Sequence, residues 1–109
     1  MLQITLFRCG LLCFPLALHA GQVYGSVSDG GRPVAKAAVE VACAGAVTPG
    51  VTADDGAYRI NVPQQGQCTL ALPGFAGRPS AVIFSYPNPT RYDFQLVKQP
   101  NGSYQLQRR

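Results

Sequence analysis

Tryptophan is absent from this 109-residue chain, and histidine and methionine each occur once, as His19 and Met1. Both lie within the first twenty residues. Beyond them no Ser-His-Asp or Cys-His arrangement can be assembled, because the general base is missing. Charged residues make up only 13% of the chain and form no block of one sign, so the basic stripe of a nucleic-acid domain is lacking. No apolar run approaches the roughly 20 residues that a membrane-spanning helix needs. Amphipathic helical spacing is also missing. Twelve glycines and nine prolines interrupt the chain, and the apolar residues between them alternate. None of the glycines opens a helix, which excludes a phosphate-cradling loop.

What is present begins with a leader. Met1 to Arg8 end on a positive charge, Cys9 to Leu18 form a ten-residue apolar run, and His19-Ala20 precede Gly21. This is the layout of a secretory signal peptide over residues 1–20, cut after Ala20. Cys9 and Cys13 lack the small preceding residues of a lipid-attachment box. Residues 21–109 then form one exported domain, periplasmic or secreted. Loss of Arg8 leaves eight bases against five acids on that domain, a formal charge of +3. The bases are scattered (Arg32, Lys36, Arg59, Arg78, Arg91, Lys98, Arg108, Arg109) and read as a solvated surface.

Alternation predicts short strands. Val23, Gly25 and Val27 share one face of Gln22 to Ser28, with Tyr24 and Ser26 on the other. Asp29-Gly30-Gly31-Arg32-Pro33 is a turn. Ala38 to Cys43 turn Val39, Val41 and Cys43 inward. Ala44 to Pro49 are expected to wander, with a short strand at Val51-Thr52. Asp54-Asp55-Gly56 turns the chain into Tyr58-x-Ile60-x-Val62, which Pro63 stops. Cys68, Leu70 and Leu72 share a face; a loop over 73–79 leads to a strand over Ala81 to Tyr86. Arg91 to Lys98 and Ser103 to Arg108 form a hairpin around Asn101-Gly102, the favoured turn pair. About seven short strands at close intervals predict an all-β sandwich.

The two cysteines of the exported domain, Cys43 and Cys68, both point inward on different strands and are expected to form a cross-strand or inter-sheet disulfide. Closing a loop of about 25 residues is worth roughly 3 kcal/mol in the chain-entropy model. A domain of this size has a thin stability margin, so that is a large share. Two thiols without histidine make a poor tetrahedral shell, and no metal or cofactor is expected.

The order Val23-x-Gly25-x-Val27, Gly31-Arg32-Pro33-Val34-x-x-Ala37-x-Val39-x-Val41, then Thr52-x-Asp54-x-Gly56-x-Tyr58-x-Ile60, resembles the carboxypeptidase regulatory-like domain over roughly residues 21–75. The resemblance implies a seven-stranded Greek-key sandwich of the transthyretin (prealbumin) type. It also implies an accessory module that carries no peptidase residues. One departure is Gly66-Gln67-Cys68, where that family carries an aromatic in the position Cys68 takes.

Candidate chemistry is sparse. Asp54 and Asp55 are adjacent in a turn, so their carboxylates diverge; they read as turn formers rather than a catalytic pair or, with Asp29, a calcium site. Asn101-Gly102-Ser103 matches a glycosylation acceptor, and the hairpin turn accounts for it. Tyr24, Phe75 and Tyr86 are the aromatic candidates for ligand contact. The expected function is a non-catalytic exported module that binds another envelope or secreted protein or serves a structural role. The alternative is a carbohydrate-binding module acting on envelope glycans.

Overall fold

The computed structural model describes residues 21–109, and the leader expected over residues 1–20 lies outside the described residues. The described chain is all-β. Its strands are β1 (Gly21–Asp29), β2 (Arg32–Pro33), β3 (Ala38–Cys43), β4 (Ala46–Val51), β5 (Ala57–Val62), β6 (Gly66–Ala71), β7 (Ser80–Ser85), β8 (Thr90–Arg91), β9 (Phe94–Lys98) and β10 (Tyr104–Arg108). Eight of them have five residues or more, against the seven expected.

They form two sheets. The large sheet runs β10-β9-β1-β2, with β5 and β8 also paired to β1; the small sheet runs β4-β3-β6-β7. The chain crosses between sheets after β2, β4, β5 and β7, so the two sheets are built together as a sandwich. β1 is the organising strand. Its first half pairs antiparallel with β5 and parallel with β8, and its second half pairs parallel with β9.

The core lies between the sheets and follows the alternation read from the sequence. Val23, Val39, Val41, Ile60, Val62, Leu70, Leu72, Ile83 and Phe94 are at most 3% exposed. Burial of side chains this size is worth about 1.5–3 kcal/mol each.

Two expectations change. The segment over 44–49 is not irregular: residues 46–51 form β4, paired along its length with β3. Its alternation is faint because Ala46, Thr48 and Gly50 face the core with little apolar surface. Gly50 is required there, since a Cβ would press into the side chain of Ile60. Pro49 is tolerated because β4 is an edge strand, where a missing N–H costs no ladder bond. The strand expected over 91–98 is split at Tyr92-Asp93. There Gly25 faces the Tyr92 carbonyl so closely that a Cβ would overlap it. The pairing offset to β1 is the same on both sides of the break, so β8 and β9 are one interrupted strand.

Candidate functional site

Cys43 and Cys68 sit directly opposite each other on β3 and β6, with Cα atoms 4.5 Å apart, and are disulfide-bonded. The bridge is therefore cross-strand within the small sheet, and it is buried. Its role is mechanical: it ties the two central strands of that sheet.

The large sheet has a different fastening. Tyr58 on β5 is buried, and its hydroxyl donates to the Tyr92 carbonyl at 2.7 Å. Burial, then the negative charge of Asp93, then Tyr92 push the Tyr58 phenol well above the usual tyrosine range, so it stays a donor. The Tyr92 hydroxyl reaches across to β7, where it accepts from the Phe84 N–H at 3.0 Å and donates to the Phe84 carbonyl at 3.2 Å. One side chain thus links the sheets and occupies backbone groups on the free edge of β7.

The outer face of the large sheet is polar and cross-linked. Gln22 donates to Asn61 at 3.1 Å, and Arg59 donates to Gln22 at 2.6 Å. Ser26 and Arg91 both donate to Asp93, at 3.1 and 2.9 Å, and Arg109 donates to Ser28 at 3.0 Å. The Tyr24 ring lies under the Arg59 guanidinium, 5.2 Å from its centroid, beside a groove of about 380 Å³.

The outer face of the small sheet is bare. Val47, Val51, Val82, Phe84 and Tyr86 are the large apolar side chains exposed among the described residues, each 41–62% accessible, and all five project from this side. Register places them. One row across the four strands reads Val47, Ala42, Thr69, Val82; the next brings Gln67 beside Phe84, and Tyr86 stacks on Phe84 at 6.3 Å. Charge enters this face only through Glu40, which is ion-paired to Arg78. Arg78 holds a left-handed backbone (φ 47°), a conformation that costs a non-glycine residue about 1–2 kcal/mol.

Both edges of this sheet are closed to strand addition. The N–H of Thr52 pairs inward with Ala37, so by alternation Pro49 turns its missing donor to the free edge of β4. The Tyr92 hydroxyl covers the edge of β7 at Phe84. These are the guards that sandwich proteins use against edge pairing.

The three aromatic candidates are dispersed. Tyr24 is on the large sheet under Arg59, Phe75 packs edge-on against Tyr104 at 5.4 Å, and Tyr86 is on the bare face. Val47, Ala42, Thr69, Val82 and Phe84 were missed. A signal for them exists: Ala81-Val82-Ile83-Phe84 is apolar at both parities, the pattern of a strand covered on two faces. Asp55 accepts from the Ala57 N–H at 3.0 Å, and Asp54 lies 3.7 Å from Lys36, so both acids serve the turn. No group of three His, Cys, Asp or Glu able to hold a metal occurs among the described residues. No helix among them is long and apolar enough to cross a membrane.

Comparison with protein-family models and with curated proteins gives no match. Among solved structures, the chain is similar to a DUF3823 family protein from Parabacteroides merdae, with a TM-score of 0.56 and 10% sequence identity. The similarity covers 74% of this chain and 49% of that one, so the chain spans about half the length of the structure it matches. At this identity the likeness is one of fold.

Proposed function

We propose that this chain is a non-catalytic, exported β-sandwich module of the carboxypeptidase regulatory-like kind, and that it binds another envelope or secreted protein through the outer face of the small sheet. One observation carries this reading. β7 is apolar at both parities, yet only one of its faces is covered, and the exposed large apolar residues gather on the other. A contiguous exposed apolar patch rimmed by polar residues supports the reading of a contact site. The disulfide favours an oxidising compartment. The only histidine is His19, outside the domain, which speaks against acid–base or nucleophilic catalysis.

The test is site-specific photo-crosslinking in the source cell. A crosslinker at Val82 should give one discrete protein adduct, while one at Gln107, exposed on the large sheet, should give none. Adducts from both positions, or from Gln107 alone, would refute the assignment of the face.

A glycan reading is favoured by one feature, the exposed Phe84–Tyr86 stack with Gln67 beside it. On that reading envelope oligosaccharides shift tyrosine fluorescence, and Tyr86→Ala abolishes the shift. A protein-binding face leaves the fluorescence unchanged.

A further inference from the structure

Both edges of the small sheet are guarded, but one edge of the large sheet is open. β5 pairs with β1 on one side only. The Val27 N–H donates to the Gly56 carbonyl at 2.9 Å, and the Ala57 carbonyl accepts from the Ala53 N–H at 2.8 Å. Alternation along the ladder therefore turns the backbone groups of Tyr58, Ile60 and Val62 to β1 and those of Ala57, Arg59 and Asn61 to the free side. Ala57 is occupied there by its own turn, since its N–H donates to Asp55 at 3.0 Å. Pro63 closes the other end with no N–H to leave unpaired. Between these two, the N–H and C=O groups of Arg59 and Asn61 have no partner among the described residues.

The usual protections are missing along this stretch. No proline lies within β5, and its inward side chains, Tyr58, Ile60 and Val62, are buried and apolar. Arg59, the one cation on the strand, is folded back over β1, where its guanidinium lies above Tyr24 and donates to Gln22. The edge is left clear. A groove of about 380 Å³ opens beside Ala57, Tyr58 and Arg59, with Val51 and Ala53 also lining it. An added strand needs such space, because it lies about 4.8 Å from its neighbour.

Charge selects the occupant. The ion pairs among the described residues are Lys36–Asp54, Arg78–Glu40 and Arg91–Asp93, and Arg59 belongs to none of them. It gives one N–H to the neutral amide of Gln22, so other donors remain for an anion. A residue directly opposite Arg59 on an added strand projects from the same outer face. We infer that the free edge of β5 takes up an extended segment of a partner protein as an additional strand, with a glutamate of that segment opposite Arg59. Glutamate suits the site better than aspartate, because the guanidinium is set back over β1. The residues flanking the glutamate turn inward and continue the apolar face of Tyr58 and Ile60. Main-chain bonds to Arg59 and Asn61 hold the segment and the charge pair selects it, as in other strand additions. This edge is separate from the bare face of the small sheet. A second copy of the chain fits less well. Paired antiparallel through Arg59 and Asn61, two copies would set both Arg59 side chains on one face, diagonally about 7–8 Å apart, with no acid between them.

The experiment is selection from a display library of random seven-residue peptides against the purified protein, followed by amide exchange read by NMR with each enriched peptide. The expected peptides alternate with a period of two around a glutamate. They should slow exchange of the Arg59 and Asn61 amides by about tenfold or more and leave Leu106, on the opposite edge of the same sheet, unchanged. Arg59→Gln removes only the charge from an exposed position and should weaken binding about fivefold, and added salt should also weaken it. Asn61→Pro removes a free-side N–H, spares the ladder to β1 and should abolish binding. An unchanged melting temperature shows that each variant folds. Peptides without an acid that still protect Arg59 and Asn61 would overturn the glutamate and leave the edge. Peptides that protect neither amide and map to Val82 or Phe84 would overturn the inference and leave the small-sheet contact standing. A library that yields no binder, or a protein that sediments as a dimer dissociated by Asn61→Pro, would also defeat it.

Discussion

The two outer faces of this sandwich are built to opposite rules. On the large sheet, Gln22, Asn61, Arg59, Ser26, Asp93, Arg91, Ser28 and Arg109 hydrogen-bond to one another, and an arginine lies over Tyr24. On the small sheet the equivalent surface carries valine, proline, alanine and two aromatics, with Gln67, Thr69, Ser80 and a single ion pair as its polar groups. The fastenings differ as well. A covalent bridge joins β3 to β6, whereas Tyr58 and Tyr92 hold the large sheet with directional hydrogen bonds. A face whose polar groups satisfy one another has little left to offer a partner. The apolar face has its backbone tied by the disulfide and its edges guarded, so what it offers is side-chain surface, held rigid.

The comparison can be broken most severely at the disulfide. Cys43→Ala with Cys68→Ala should cost about 3 kcal/mol of unfolding free energy. Guanidinium denaturation checks this, and a loss below about 1 kcal/mol would show that β3 and β6 do not need the bridge. On the other sheet, Tyr58→Phe removes one buried hydrogen bond and orphans the Tyr92 carbonyl, for an expected loss of about 1–2 kcal/mol.

That residue also sharpens the contrast through pH. Because the folded-state pKa of Tyr58 lies above the unfolded value near 10, the unfolded state loses its proton first. Its contribution is fully present below about pH 10 and should fall as pH rises beyond it. The decline should be shallower in Tyr58→Phe, as thermal melts across the alkaline range would reveal. Parallel declines in both proteins would remove Tyr58 from this role.

A smaller gain is expected in the β3–β4 hairpin, where Ala44 and Gly45 both have positive φ (49° and 84°). Ala44→Asn creates the favoured Asn-Gly turn and should stabilise by about 0.5–1 kcal/mol, read as a raised melting temperature. The smallest effect belongs to the bare face. Phe84→Ser should change stability by no more than about 0.5 kcal/mol. A large loss there would mean that the face serves folding rather than contact.

Most strands and the inward side chains were legible because alternation has a period of two, and Val23, Ile60, Leu70 and Phe94 obey it. β4 was not, because its core side carries Ala46, Thr48 and Gly50, and neither parity stands out. The site was less legible still. Tyr24, Phe75 and Tyr86 stand out in the sequence for their rings, but whether a ring is free depends on neighbours such as Arg59 and Tyr104, 35 and 29 residues away in the chain.

Composition and alternation alone therefore established an all-β chain with an expected disulfide and no histidine in its domain, because those follow from residue type and from the two-residue period of an extended backbone. That Cys43 and Cys68 stand close enough to bond within one sheet, that Tyr92 closes the edge of β7, and that four strands line up Val47, Ala42, Thr69 and Val82 were decided only by the register of the sheet. Register is set jointly by all the paired strands and the core between them, and no local stretch of sequence contains it.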